Sequence, residues 1–284
     1  MSDEVGLGLT LALASAAALN WGFFAQHGAA SELPPLSPRR PWRSVRLLFG
    51  ARRWLAGFTA GLGGWALYVS ALALAPLSLV QSTSAAGIGL LALLVWATGT
   101  RLAPREWAGI GVSVAALVLL ATSLSGGAAT GTAGAWGAVA LWMLASAAAA
   151  CISALALGAG AGLGAAAGIL YAAGDVGTKA AIHGGGRLAF VPALPACHGL
   201  AFVSLQLGFQ RGGALATAGV ATVLTNALPI LAGTTIFDEG VPAGAAGFAR
   251  VAGFAGAVIG ASLLARRSEA AVDGPEALRL RLTD

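Results

Sequence analysis

The chain has 284 residues, of which 57% are hydrophobic and only 10% charged, with 42 glycines and a formal charge of +5. Soluble domains carry roughly 25% charged residues. That gap, with a mean hydropathy of +0.82, excludes a soluble globular domain, a disordered chain and a disulfide scaffold, and leaves an all-α polytopic protein whose first partner is a lipid bilayer.

A span needs about 20 mostly apolar residues. Nine such stretches follow in chain order: 7–30, 54–75, 77–99, 107–124, 133–154, 157–182, 188–210, 213–237 and 243–265. The fifth and sixth blur together across an Ala/Gly run at 155–164, but 133–182 is far too long for one crossing, so a break is expected there. No strand-length stretch alternates as a transmembrane barrel requires. The acidic start, Asp3 and Glu4, lacks the positive charge of a secretory signal, so the first span is expected to be retained. The longest loop, 31–53, holds four prolines and six arginines. It is expected to set topology and to meet anionic lipid headgroups. The tail, 266–284, is polar.

The pI near 10.2 would point to nucleic acid in a soluble protein. Here the arginines lie between apolar segments, so no nucleic-acid partner is expected. With the N-terminus outside, thirteen arginines fall in inner segments and only Arg187 in an outer one. That split fits an odd number of spans in a plasma membrane, with the C-terminus cytoplasmic.

The halves echo one another. Trp65-Ala-Leu-Tyr-Val-Ser70 aligns with Gly199-Leu-Ala-Phe-Val-Ser204, Pro104–Gly109 with Pro242–Gly247, and Gly22–His27 with Gly174–Lys179. Spans 1–4 (residues 1–132) and spans 6–9 (157–265) then form two four-helix repeats, inverted by a lone linker span (133–156). Inverted repeats enclosing a midplane solute site are a recurring plan of secondary transporters.

At Ala73-Leu-Ala-Pro-Leu-Ser-Leu-Val-Gln81, and again at Arg101-Leu-Ala-Pro-Arg-Glu-Trp-Ala-Gly109, the chain resembles the drug/metabolite transporter superfamily. The second half has a similar layout at Gln206–Gly213 and Phe237–Pro242. The nine-span count is more similar to its NIPA-type magnesium transporters than to the ten-span EamA-type exporters. The resemblance implies alternating-access transport of a small polar or amphipathic solute, with magnesium transport as the alternative. A non-transporting membrane scaffold is the alternative from another class.

Asp175 is the one carboxylate inside a predicted span, and Lys179 follows it at i+4 on the same helix face. A charge at the bilayer centre costs at least about 2.5–3.5 kcal/mol, which pairing or an inward-facing position offsets. The pair reads either as an ion or proton switch, or as a self-neutralised couple near a helix end with Lys179 reaching to the interface. His27 holds the Lys179 register in the first half and is a second candidate for proton coupling, or else an interfacial histidine. His198 sits among Pro192 and Pro195, lining a cavity or bonding a freed carbonyl. Asn20 and Trp21 lie mid-span 1, Gln81 and Ser82 open span 3, and Thr225 and Asn226 precede Pro229 in span 8. These polar groups either face cargo or bind helix to helix. Tyr68 and Tyr171 are candidates to stack on a solute or to anchor at the interface.

Glycines four apart at Gly57/Gly61, Gly160/Gly164/Gly168 and Gly256/Gly260 are expected to permit close helix packing. Cys151 and Cys197 lack metal-spaced partners and are expected to be buried small hydrophobes. No Walker A, His-Glu-x-x-His or Gly-x-Ser-x-Gly motif occurs. No cofactor, resident metal or enzymatic activity is therefore expected. A second copy of the chain, as a homodimer, stays open as a partner.

Overall fold

The computed structural model describes residues 3–37, 39–74, 87–123, 132–157, 159–181, 183–238 and 243–265. Every regular element among them is helical. In chain order these are α1 (Asp3–Glu32), α2 (Pro41–Gly50), α3 (Arg52–Leu74), α4 (Gly87–Ala97), α5 (Pro104–Ser123), α6 (Trp136–Ala156) and α7 (Ala159–Ala181). A 3₁₀ turn (Gly185–Phe190), α8 (Ala193–Arg211), a π-helical turn (Leu215–Gly219), α9 (Val220–Ile236) and α10 (Ala245–Ala265) follow.

Six of the helical stretches are long and apolar enough to cross a membrane: 6–32, 104–123, 136–156, 185–211, 215–236 and 245–265. Helices α3 and α7, with 23 residues each, extend about 34 Å at 1.5 Å per residue, which also matches a bilayer core. The molecule is a polytopic helical membrane protein.

The chain breaks between α6 and α7 at Leu157, whose backbone is extended (φ −94°, ψ 163°). Between α7 and the 3₁₀ turn it reverses through Gly184 and Gly185, at φ +71° and +62°, a backbone region that glycine enters without a Cβ penalty. Arg187 anchors this turn: its Nε and Nη2 donate to the Gly134 carbonyl at 3.1 and 2.6 Å.

The 31–53 segment is not the plain loop its prolines indicate. Pro41 starts α2, where its missing N–H and fixed φ suit the first helical turn. Ser44 and Ser37 close a bracket in front of it, Ser37 N–H donating to Ser44 Oγ at 3.0 Å and Ser44 Oγ to the Ser37 carbonyl at 3.1 Å.

Helix α1 packs on α3 and α4, and α7 packs on α8 and α9; α4 touches α5 as α9 touches α10, and α5 packs along α10. Glycine carries the closest approaches. A Cβ on Gly22 would meet the Gly57 carbonyl at 2.7 Å, and one on Gly168 the Ala221 carbonyl at 2.6 Å. From Gly160 to Gly168 every residue of α7 is buried. This glycine row lies against the π-helical turn, where Thr217 Oγ1 donates to the carbonyls of Gly160 (3.3 Å) and Gly208 (3.2 Å).

Candidate functional site

Two polar groups lie at opposite ends of α8. Toward its N-terminal end, His198 faces α7. Its Nε2 stands 3.7 Å from Asp175 Oδ1, an ion-pair distance outside hydrogen-bond range. Its Nδ1 is 3.0 Å from the Leu194 carbonyl, which fixes Nδ1 as the protonated nitrogen when the ring is neutral and leaves Nε2 toward the carboxylate. The Tyr171 ring stands edge-on to the imidazole at 5.9 Å. Gly174 supplies the space, because a Cβ there would overlap the His198 ring. Side-chain exposure is 42% for His198 and 51% for Asp175. The couple is therefore only half-buried by the protein itself.

The anticipated pairing of Asp175 with Lys179 is replaced by this one. Sharing a helix face places two side chains near each other, but the histidine offered by the antiparallel neighbour takes the carboxylate. Lys179 lies a turn further on, its Nζ 4.6 Å from the centre of the Phe237 ring, a cation–π distance.

Toward the C-terminal end of α8 the polar group is buried. Trp54 Nε1 donates to Gln206 Oε1 at 2.8 Å, and Gln206 Nε2 donates to Gln26 Oε1 at 2.8 Å. The three side chains are almost entirely buried. One turn on, Gln210 Nε2 donates to the Ala30 carbonyl at 3.0 Å while its Oε1 accepts from Leu36 N–H at 2.8 Å. These bonds tie α8 to α1, α3 and the segment after α1. His27 belongs here: its Nδ1 is 3.1 Å from the Phe209 carbonyl and its ring stands edge-on to Phe209. An open cavity of about 380 Å³ lies beside this end, lined in part by Ser31, Leu36 and Gln210.

Asn20 and Trp21 part company. Asn20 is buried against Gly87, its Nδ2 donating to the Ala16 carbonyl at 2.8 Å and its Oδ1 without a partner. Trp21 points outward and is 44% exposed. Asn226 donates to the Thr222 carbonyl at 2.7 Å, and both it and Thr225 are half-buried. Tyr68 packs beside Ala12 and Ala71. Gln81 and Ser82 lie outside the described residues. Cys151 is exposed and Cys197 half-buried, so neither is the core residue expected. Both sit on helices with an outward, lipid-facing side.

Of the sequence candidates, then, the fold brings Tyr171, Asp175 and His198 together, and it puts His27 with the Gln26–Gln206–Trp54 group. That glutamine group was missed. Its signal was present in Gln26 and Gln206, neutral amides inside apolar stretches that demand partners. Among the described residues no group of three or more His, Cys, Asp or Glu side chains is placed to hold a metal ion. Comparison with protein-family models, curated proteins and solved structures gave no match.

Proposed function

We propose that this chain is a secondary transporter of the drug/metabolite type, moving a small polar or amphipathic solute by alternating access. The carrying observation is the pair of polar groups on α8: the Tyr171–Asp175–His198 group toward one end and the buried Trp54–Gln206–Gln26 bridge, with an open cavity beside it, toward the other. A carboxylate on a membrane-crossing helix is stable only facing water, a partner or cargo, and Asp175 has a partner in His198.

The helix contacts lend support. Within each proposed repeat, the first helix meets the second and third, and the third meets the fourth. The fourth helices, α5 and α10, pack on each other. This pairing fits two four-helix repeats with α6 as the odd linker, nine spans in all, with the N-terminus outside the plasma membrane and the C-terminus in the cytoplasm. Asp175 and His198 then carry the proton or charged cargo, and His27 sits with the buried bridge.

The test is solute flux in proteoliposomes with and without a pH gradient, for the wild type and Asp175→Asn. pH-coupled flux that is lost in folded, membrane-inserted Asp175→Asn supports the reading. Unchanged flux removes Asp175 from the mechanism, saturable magnesium uptake replaces the solute with the ion, and no flux alongside a captured partner leaves a scaffold. Tags at Met1 and Asp284 reporting the same side of the bilayer would refute the odd-span topology.

A further inference from the structure

We propose that α2 is a docking helix for anionic phospholipid, with Arg39, Arg40, Arg43 and Arg46 on the headgroups and Trp42, Val45 and Phe49 in the acyl boundary. This stands apart from the transport reading and survives its failure.

The helix has three faces. Leu48 is buried, and Leu47 packs with it on the cluster containing Trp54 and Leu36. Ser44 is held by Ser37. Those residues fix the protein side. Trp42, Val45 and Phe49, at i, i+3 and i+7, fall within an arc of about 60° and are 83%, 44% and 49% exposed. Phe49 rests one side of its ring on Trp54 (5.1 Å) and Phe58 (5.8 Å) and stays half-exposed on the other, and these contacts set the roll of the helix. Arg43 and Arg46 form the third face, and both are exposed, as are Arg39 and Arg40 just before the helix.

The occupant follows from position and charge. Only Ala51 separates α2 from α3, whose 23 residues match the length of a bilayer crossing, and α1, which is apolar enough to cross, packs along α3, so α2 lies beside the end of a membrane-length helix pair. Residues 39–53 carry six arginines and no acid. A short helix with an exposed aromatic-aliphatic stripe beside a purely cationic one matches an interfacial helix on a negatively charged lipid surface. A protein partner of opposite charge would cover the arginines but has no cause to prefer a stripe that already abuts the bilayer.

The experiment is amide hydrogen exchange of peptides spanning 41–50, with the full chain in nanodiscs of phosphatidylcholine and in nanodiscs with a third of that lipid replaced by phosphatidylglycerol. Exchange is expected to slow several-fold in the anionic discs and to recover at high salt, since surface attraction is screened. Replacing the four arginines with glutamine should abolish the difference, each arginine contributing roughly fivefold in lipid affinity. Trp42→Ser with Val45→Ser should speed exchange in both lipids. Equal exchange of the wild type in the two lipids overturns the proposal. A slowing that persists in the arginine variant overturns the assignment of those residues, and no effect of the serine pair overturns the apolar seating. If the arginine variant fails to reconstitute, the wild-type comparison with its salt titration decides alone.

Discussion

Gly174→Ala tests whether His198 is seated as described. The new Cβ would lie 2.5 Å from Nδ1 and 3.0 Å from Nε2 of the imidazole, and closer still to Cε1. No relaxation of a few tenths of an ångström accommodates that, so the ring must rotate away. Three effects compete. Alanine in place of a helix-interior glycine stabilises by about 1 kcal/mol. Overpacking costs about 1–3 kcal/mol. Turning the ring breaks the bond to the Leu194 carbonyl, worth about 1 kcal/mol. Destabilisation should win, by about 2 kcal/mol, or a fall in Tm of roughly 4–8 °C by thermal unfolding in detergent. Because the ring leaves Asp175 as well, pH-coupled flux in proteoliposomes should fall far more than stability does. Gly63→Ala is the control: no atom lies within 4 Å of its Cβ, so it should neither lower Tm nor alter flux. If Gly174→Ala keeps wild-type Tm and full coupled flux, His198 does not occupy the space over Gly174 and the couple with Asp175 is not functional.

Two further perturbations address the packing toward the other end of α8. Gln206→Leu leaves the Trp54 N–H and the Gln26 amide unpaired inside the buried end, at about 1–3 kcal/mol for each orphaned group. A Tm drop that Trp54→Phe partly rescues in a double-mutant cycle would establish the bridge, while strict additivity would remove it. Gly164→Ala drives a Cβ into the Thr217 carbonyl, which is backbone and cannot rotate away. It should destabilise by about 1–3 kcal/mol or more, read as a fall in Tm, and unlike Gly174→Ala it meets no side chain that can turn aside. A stable Gly164→Ala protein would mean that α7 does not lie against the π-helical turn.

The helices were legible in the sequence because 20-residue apolar stretches have few other uses, and the break at Leu157 followed from length alone. The partner of Asp175 was not legible. Spacing along one helix reports neighbours on that helix, whereas His198 arrives through the α7–α8 turn, whose geometry rests on Gly184, Gly185 and the Arg187 anchor. Helix α2 was hidden for another reason. Its prolines and arginines mark a loop by composition, yet Trp42, Val45 and Phe49 already stand at helical spacing behind a proline suited to a helix start.

Which face of each crossing helix turns inward is a harder question, because lipid and protein interior are equally apolar and Leu spacing loses its meaning. Size replaces hydrophobicity as the signal. On α10 the inward residues are mostly small, Gly253, Ala257, Gly260 and Ala261, with Arg250 and Leu264 beside them, while Phe248, Val251, Val258 and Ile259 point out. On α6, Val139, Ser146 and Ala150 are inside and Leu141, Leu144, Ile152 and Leu155 outside. Dispersion explains the pattern: helices attract in a bilayer by backbone approach, which small side chains permit, and large side chains pack equally well on acyl chains. The same rule separates Asn20 from Trp21. Ala12, Ser15 and Ala16 mark the buried face of α1, and Asn20 continues it at i+4 from Ala16. Trp21, about 100° further round, is carried to the lipid side. A polar residue on a small-residue stripe is therefore the one to test as a lining group, and by that criterion Asn20 belongs to the interior and Trp21 does not.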